Sequence, residues 1–190
     1  NVTGVQTCAL PIFFTHRGAA SKRTHVVAGG QQAIDERAAH LAALPGVELF
    51  EGDLNDRERL DAAMTGCDQL FHLAARVHAP AGTPESEFRL VNVEGTRNVV
   101  ESAIHNRVSA FVYFGTVAVY PPSDLTLNED SPVGPHTHYG RSKLEAERLL
   151  LAEAAVSGLK ATVLRLPVVY GRGDRGNVGA LIEAIRRGRY

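Results

Sequence analysis

The chain has 190 residues, a formal net charge of −1 and 44% hydrophobic residues. This length suffices for one domain with a buried core. A near-zero charge with scattered basic residues argues against nucleic acid or a membrane surface as the main partner, and no apolar run approaches the ~20 residues of a membrane span. Cys8 and Cys67 lack disulfide-framework or metal-type spacing, so a cytoplasmic setting is expected.

The amino-terminal residues lack the pattern of a regular element. The chain begins with Asn, and residues 2–12 show no helical period, no strand alternation and no signal-peptide layout. They resemble the conceptual translation of a sequencing adapter, and the alternative is a genuine but irregular first strand. We therefore expect residues 1–24 to be a non-native or irregular segment and residues 25–190 to form the folded domain.

The rest of the sequence alternates short apolar runs with segments of helical period. The predicted strands are 24–28, 47–50, 69–75, 110–114 and 161–166. The predicted helices are 33–44, a segment from the capping box of Asn55 and Glu58 to Gly66, a segment from Phe88 to Ile104, Tyr139 to Gly158, and about 177–188. Alternating strands and helices predict an α/β fold with a parallel sheet, which binds ligands at the carboxyl ends of its strands.

Tyr139 and Lys143 lie four residues apart where a predicted helix begins. Residues at this spacing share one helix face, so the ammonium of Lys143 can lie close to the phenol of Tyr139. A nearby positive charge stabilises phenolate, and we expect it to lower the pKa of Tyr139 from its usual value near 10. Tyr139 would then exchange a proton near neutral pH. The spacing also occurs on ordinary surface helices, so the other motifs must decide.

Small, polar or turn-forming residues follow four successive predicted strands. They are Gly52-Asp53-Leu54, Ala74-Ala75, Gly115-Thr116 and Pro167 to Gly171. Further segments fit the same order: Phe71-His72-Leu73-Ala74-Ala75, Asn92-Val93-Glu94-Gly95-Thr96, Thr116-Val117-Ala118-Val119-Tyr120, Glu129-Asp130-Ser131-Pro132, Tyr139-Gly140-Arg141-Ser142-Lys143 and Leu164-Arg165-Leu166-Pro167. From about residue 46 to residue 190 the chain therefore resembles the extended short-chain dehydrogenase/reductase superfamily, in its NAD-dependent epimerase/dehydratase branch.

The resemblance implies a Rossmann-like, doubly wound sheet that binds NAD or NADP. The cofactor-binding residues that it implies are Asp53, Leu54, Ala74, Ala75, Asn92, Lys143 and Pro167. Asp53 would accept a hydrogen bond from the adenine amino group, with Leu54 packed on the ring, although a helix-entry turn alone would also explain Asp53. Asn92 would hold the loop around the nicotinamide ribose, or else would be merely an exposed polar residue of a helix.

The resemblance also implies catalytic roles for Thr116, Tyr139 and Lys143. The hydroxyl of Thr116 would bind the reacting oxygen, Tyr139 would take or give the proton, and Lys143 would bind the ribose hydroxyls. The cofactor supplies the hydride step. His136 and His138 have no evident third partner, so no metal site is expected.

Two features of the family pattern are missing. No glycine-rich turn occurs in residues 1–30, where a first strand would lead to the pyrophosphate. The sequence also stops at Tyr190, so we expect a fragment that lacks the first strand, this turn and most of a substrate-binding domain. Gly29-Gly30-Gln31 is neither acidic nor basic and leaves the choice between NAD and NADP open.

The expected activity is epimerisation or oxidoreduction, with a nucleotide sugar as the favoured substrate and a homodimer as one possible full-length state. Val117 and Ala118 cannot act as acid or base, which disfavours dehydration, and Val168 replaces an Asn common in epimerases. The alternatives are a carbonyl reductase or hydroxysteroid-type dehydrogenase, a non-catalytic nucleotide-binding protein, and a truncated reading frame without function.

Overall fold

A computed structural model describes residues 12–15, 24–28, 43–77, 79–171 and 177–189. Its strands are β1 (Ile12–Thr15), β2 (Thr24–Ala28), β3 (Val47–Glu51), β4 (Gln69–His72), β5 (Ala110–Thr116) and β6 (Lys160–Leu166). Its helices are α1 (Arg57–Met64), α2 (Glu85–Arg89), α3 (Gly95–His105), α4 (His138–Ser157) and α5 (Asn177–Arg186). A π-helical turn, Leu90–Glu94, joins α2 to α3, and a 3-10 turn, Val117–Val119, follows β5.

The described strands form one sheet in the order β3-β2-β1-β4-β5-β6. β2 pairs with β3 in parallel, and β4, β5 and β6 pair in parallel with one another. β1 lies between these two groups and runs antiparallel to both β2 and β4. The five strands that the sequence predicts therefore point in one direction, and the Rossmann-like α/β fold is confirmed.

β1 corrects the expectation of an irregular segment through residue 24. Residues 12–15 of that segment occupy the centre of the sheet, where the missing first strand of the fold would lie. Only residues 16–23 separate β1 from β2, whereas parallel neighbours need a crossover of about a dozen residues or more. The short connection therefore explains why β1 is antiparallel. The other residues before 24 lie outside the described ranges.

One hydrophobic core joins α1, α3 and α4 to β4 and β5. On the strands Leu70, Phe111 and Tyr113 are fully buried, and they face Val99 of α3 and Leu150 of α4 within the same cluster. Each fully buried side chain of this size contributes about 1.5–3 kcal/mol. This core fixes the ends of β4 and β5, and with them the edge of the sheet that carries the candidate site.

Helix boundaries follow local hydrogen bonds. α1 is capped by Asp56, whose carboxylate accepts from the Arg59 N–H, so the predicted capping box of Asn55 and Glu58 is wrong. α4 begins after Thr137, whose hydroxyl accepts from the Gly140 N–H at 2.9 Å, and ends at Gly158 with φ +78°, as predicted.

Two predicted elements differ from the observed ones in their bounds or geometry, and a third lies mostly outside the described residues. The strand predicted at 69–75 ends at His72, and the helix predicted from Phe88 to Ile104 contains the π-helical turn. Most of the helix predicted at 33–44 lies outside the described residues. Nowhere in the described ranges is a helix both long and apolar enough to cross a bilayer.

Candidate functional site

The predicted site residues lie at one edge of the sheet. β3, β4, β5 and β6 point in the same direction, so their carboxyl ends meet at this edge. Asp53 follows β3, Ala74 follows β4, Thr116 ends β5 and Pro167 follows β6. Ligands of open α/β sheets bind in the crevice at this edge.

The turn after β3 is held in two ways. The Asp53 carboxylate accepts from both the backbone N–H and the side-chain amide of Asn55, each at 2.8 Å. The Leu54 carbonyl accepts from the Asn98 amide of α3 at 2.9 Å. A Cβ on Gly95 would lie 2.8 Å from Leu54 Cδ1 and 3.0 Å from Leu54 Cβ, so the Leu54 side chain would have to shift to admit it. Gly95 stands inside the helix predicted from Phe88 to Ile104, where glycine costs about 1 kcal/mol relative to alanine, so its presence was a signal of close packing.

The loop after β4 is held by Asn92. Ala74 and Ala75 are buried, and the Asn92 side chain is 1% exposed. Its Oδ1 accepts from the Arg76 N–H at 2.7 Å, and its Nδ2 donates to the Arg76 carbonyl at 3.1 Å. Asn92 therefore fixes the backbone of this loop, and the reading of Asn92 as an exposed helix residue is wrong.

Asn92 itself lies in the π-helical turn, a feature often found at functional sites. The Thr96 hydroxyl donates to the Asn92 carbonyl at 2.6 Å, and His72 Nε2 lies 2.9 Å from the same hydroxyl. Because the Thr96 hydroxyl gives its proton to the Asn92 carbonyl, it can only accept from His72. The neutral His72 imidazole therefore carries its proton on Nε2. Burial, with the nearby charge of Lys143, lowers the pKa of His72 to about 3.

Thr116 and Tyr139 meet across the 3-10 turn. The Thr116 hydroxyl accepts from the Ala118 N–H at 3.2 Å, as expected for a residue that ends a strand, and it lies close enough to the Tyr139 phenol to lower the pKa of that group. Gly140 makes the approach possible, because a Cβ there would overlap the Ala118 carbonyl and lie 3.0 Å from Pro135 Cβ. The first turn of α4 therefore packs directly against the end of β5.

The Lys143 ammonium contacts an aromatic ring of β5. Its side chain is 1% exposed, and Nζ lies 4.0 Å from the centroid of the Tyr113 ring, a cation–π contact. Burial lowers the pKa of Lys143 to about 7, and the charge of Glu147 acts in the opposite direction. Burial also raises the pKa of Tyr139, against the hydrogen bond with Thr116. The expectation that Lys143 lowers the Tyr139 pKa is therefore wrong for this structure.

A second charged group lies one turn further along α4. Glu147 is 3% exposed and accepts two hydrogen bonds from the guanidinium of Arg165 on β6. Arg165 also donates to the Tyr120 hydroxyl at 2.6 Å, which in turn donates to the Asn128 carbonyl. Arg165 lies in the motif Leu164-Arg165-Leu166-Pro167, but no feature of the sequence indicated its bond with Glu147.

Of the two histidines before Tyr139, His138 contacts a carboxylate of α2. His138 Nδ1 lies 3.0 Å from Glu85 Oε2, and Arg141 binds the same carboxylate through two nitrogens. No cluster of three His, Cys, Asp or Glu side chains suited to a metal ion occurs in the described part of the chain.

Pro167 is exposed at the end of β6.

Residues 15–189 match the model of the NAD dependent epimerase/dehydratase family. The chain is 36% identical over 141 residues to an N-acetyl-alpha-D-glucosaminyl-diphospho-ditrans,octacis-undecaprenol 4-epimerase of Escherichia coli O157:H7, covering 73% of this chain and 42% of that protein. It is 35% identical over 159 residues to a 4-hydroxy-2-methyl-3-oxo-4-farnesyl-3,4-dihydroquinoline-1-oxide ketoreductase of Stigmatella aurantiaca, covering 82% of this chain and 47% of that one.

Among solved structures, MoeE5 in complex with UDP-glucose and NAD is similar with a TM-score of 0.68 and 34% identity. The alignment covers 76% of this chain and 50% of MoeE5. The chain thus spans about half the length of the relatives it matches. Because the family model matches residues 15–189 of this 190-residue chain, the chain belongs to the NAD-dependent epimerase/dehydratase family.

Proposed function

We propose that this chain is the cofactor-binding part of an NAD-dependent epimerase or oxidoreductase that acts on a nucleotide sugar. The observation that carries the proposal is the meeting of Thr116 and Tyr139, one turn from the buried Lys143, at the carboxyl edge of the sheet. A hydroxyl, a phenol and an ammonium are the groups that proton exchange with an alcohol or ketone needs.

The residues at this edge fit a dinucleotide. Ala74 and Ala75 are buried and small, and Asn92 holds the backbone that follows them. Asp53 is exposed at the end of β3, and its turn is fixed by Asn55. Asp53 and Leu54 would hold the adenine, and Ala74, Ala75, Asn92 and Pro167 would line the rest of the crevice. The bound cofactor would accept or return a hydride.

The three catalytic residues would each act at a defined atom. Tyr139 would exchange a proton at its phenol oxygen with the substrate oxygen. The Thr116 hydroxyl, held by the Ala118 N–H, would hydrogen-bond that same substrate oxygen. Lys143 would donate from Nζ to the ribose hydroxyls, which are better acceptors for an ammonium than the Tyr113 ring that it now faces.

The choice of substrate rests on the relatives. The Escherichia coli relative is named for a sugar linked through diphosphate to a lipid, and MoeE5 was solved with UDP-glucose. A sugar carried on a diphosphate is common to both, so a nucleotide sugar is the substrate class that we propose.

Carbonyl reduction is the second candidate. It is favoured by the ketoreductase of Stigmatella aurantiaca, which matches a larger share of this chain than the epimerase does. The same Tyr139 and Thr116 would serve both reactions. Net consumption of reduced cofactor by a ketone, with no interconversion of sugar epimers, would favour this candidate.

The test is the Tyr139→Phe variant of the protein that carries this sequence. Loss of the phenol oxygen should lower turnover by about 10²–10⁴-fold, while the affinity for NAD, measured by calorimetry, stays near that of the wild type. Turnover is measured with UDP-sugars and NAD, and with ketones and reduced cofactor. Unchanged turnover in Tyr139→Phe would overturn the role of Tyr139, and absence of any dinucleotide binding by the wild-type protein would overturn the proposed function.

A further inference from the structure

A continuous line of hydrogen bonds connects the loop after β4 to the peptide of Tyr139. Asn92 Oδ1 accepts from the Arg76 N–H at 2.7 Å, and Asn92 Nδ2 donates to Ser142 Oγ at 2.8 Å. Ser142 Oγ then donates to the Tyr139 carbonyl at 2.8 Å. The line crosses from one chain segment to another, since residues 76, 92 and 142 belong to the β4 loop, the π-helical turn and α4.

The direction of every bond in this line is fixed. Because Asn92 Oδ1 is used by the Arg76 N–H, the amide nitrogen must face the Arg76 carbonyl and Ser142. Ser142 Oγ accepts from that nitrogen, so its own proton is free for the Tyr139 carbonyl. Asn92 and Ser142 are each 1% exposed, so water cannot replace either partner. Removing the Ser142 hydroxyl leaves one N–H of the buried Asn92 amide without an acceptor, which costs more than the bond contributes.

We infer that Ser142 is a positioning residue that couples the loop after β4 to the helix turn carrying Tyr139. The inference rests on the proposed function, because the loop is assigned to the cofactor and Tyr139 to the proton transfer. Through Ser142 the two parts of the site keep one relative position, and movement of either part strains the other.

A local role for Ser142 is the competing explanation. Serine in a helix often bonds the carbonyl three or four residues earlier, and such a bond has no long-range effect. What separates Ser142 from that pattern is the bond that it accepts from Asn92 on a different element. The test must therefore read a change at the far end of the line, at Arg76, rather than in α4.

The measurement is hydrogen exchange of the Arg76 amide by NMR in the full 190-residue chain. In Ser142→Ala, Asn92 loses one of its partners, and we expect the Arg76 amide to exchange about fivefold to tenfold faster relative to the amide of Val112 in β5. The ratio to Val112 removes any uniform loss of stability. Ser142→Thr keeps a hydroxyl that can bond the carbonyl three residues earlier and should restore slow exchange.

Ser102→Ala is the matched control. Ser102 is also a fully buried helical serine, on α3, and within the described residues its hydroxyl has no hydrogen-bond partner. Its removal should leave the exchange ratio of Arg76 to Val112 unchanged. An unchanged ratio in Ser142→Ala, or an equal rise in Ser102→Ala, overturns the inference.

Cofactor affinity separates this inference from the proposed function. If the wild-type chain binds NAD, Ser142→Ala should raise the dissociation constant by about fivefold, and equal affinity would contradict the coupling while leaving the function standing. If the wild-type chain binds no dinucleotide, the proposed function fails, and the exchange ratio at Arg76 still decides the role of Ser142.

Discussion

Lys143 holds an ammonium where water does not reach it. Three titratable groups face it: His72 from β4, Tyr113 from β5 and Glu147 from α4. Glu147 supplies the only fixed negative charge among these three, and Arg165 already shares that charge. Burial therefore dominates, and it brings the pKa of Lys143 down from 10.5 to about 7.

The first residue-scale prediction concerns stability above neutral pH. The folded pKa of Lys143 is below its unfolded value, so between pH 7 and 10.5 the unfolded chain binds a proton that the folded chain lacks. Lys143 should therefore make the free energy of unfolding rise with pH across this window, by at most about 1.4 kcal/mol per unit, and should add no pH dependence below it. The difference in the free energy of unfolding between the wild type and Lys143→Met, measured with urea, should show this rise, because groups such as Cys67, whose pKa burial raises, titrate in both proteins.

Lys160→Met provides the control for that comparison, because Lys160 is exposed at the start of β6. Its pH dependence should match that of the wild type. A Lys143→Met variant that kept the full rise between pH 7 and 10.5 would show that Lys143 is not the titrating group.

The second residue-scale prediction concerns acid. His72 is fully buried and neutral, with a folded pKa near 3 against 6.5 in an ordinary site. As pH falls from 6.5 towards 3, the unfolded chain gains a proton that the folded chain does not, so stability is lost over this window. His72→Gln should lose less stability than the wild type on acidification. His105→Gln changes an exposed histidine at the end of α3 and should follow the wild type.

At the scale of elements, the contact between the first turn of α4 and the 3-10 turn after β5 determines how Thr116 meets Tyr139. This contact depends on Gly140, since any Cβ there would overlap the Ala118 carbonyl. Backbone atoms cannot move aside as a flexible side chain can. The two turns would have to separate to admit even one methyl group.

Gly140→Ala should therefore destabilise the chain by about 1–3 kcal/mol, although alanine favours a helix over glycine by about 1 kcal/mol. Thermal unfolding gives the sign of the change, and the chemical shift of the Thr116 amide reports separation of the turns. Gly171→Ala is the matched control, because a Cβ at that position meets nothing within 4 Å. Equal stability of the two variants would contradict the close contact.

The elements show which parts of the fold the sequence could predict. Apolar runs between turn residues predicted that β2 to β6 exist, although β4 ends three residues earlier than predicted, and the glycine at position 158 marked the end of α4, because these signals are local. The predicted cap of α1 was one residue too early, because Asn55 and Asp56 can both accept a helix N–H. In the structure Asn55 bonds the Asp53 carboxylate, and Asp56 caps the helix. The position of Lys143 under Tyr113 was not predictable, because helix spacing fixes the face of a side chain but not its partner on another strand.

At the scale of the whole molecule, β1 is the strand that connects the two parallel groups of the sheet. β2 and β3 pair with each other, and their only described strand connection to β4 is through β1. Ile12–Thr15 has only four residues and lies in the segment that was expected to be irregular. The pairing of the two halves of the described sheet therefore depends on the part of the sequence with the weakest strand pattern.

Phe13→Pro tests this dependence. Proline removes a donor from the ladder and is tolerated almost only on edge strands. We expect amides of β2 and β3 to lose their protection from hydrogen exchange, while amides of β5 and β6 keep theirs because those strands pair with each other and carry the core. Loss of protection in all strands together would show instead that the sheet unfolds as one unit.

The direction of β1 has a consequence for where binding energy can come from. Thr15, at its carboxyl end, is paired with Thr24 at the beginning of β2, so the chain leaves β1 at the edge opposite to Thr116. The carboxyl end of β1, which in an all-parallel sheet would face a bound diphosphate, therefore lies away from the candidate site. A dinucleotide would then be held through its two ends, and adenosine alone should recover an unusually large share of the affinity of NAD for this chain.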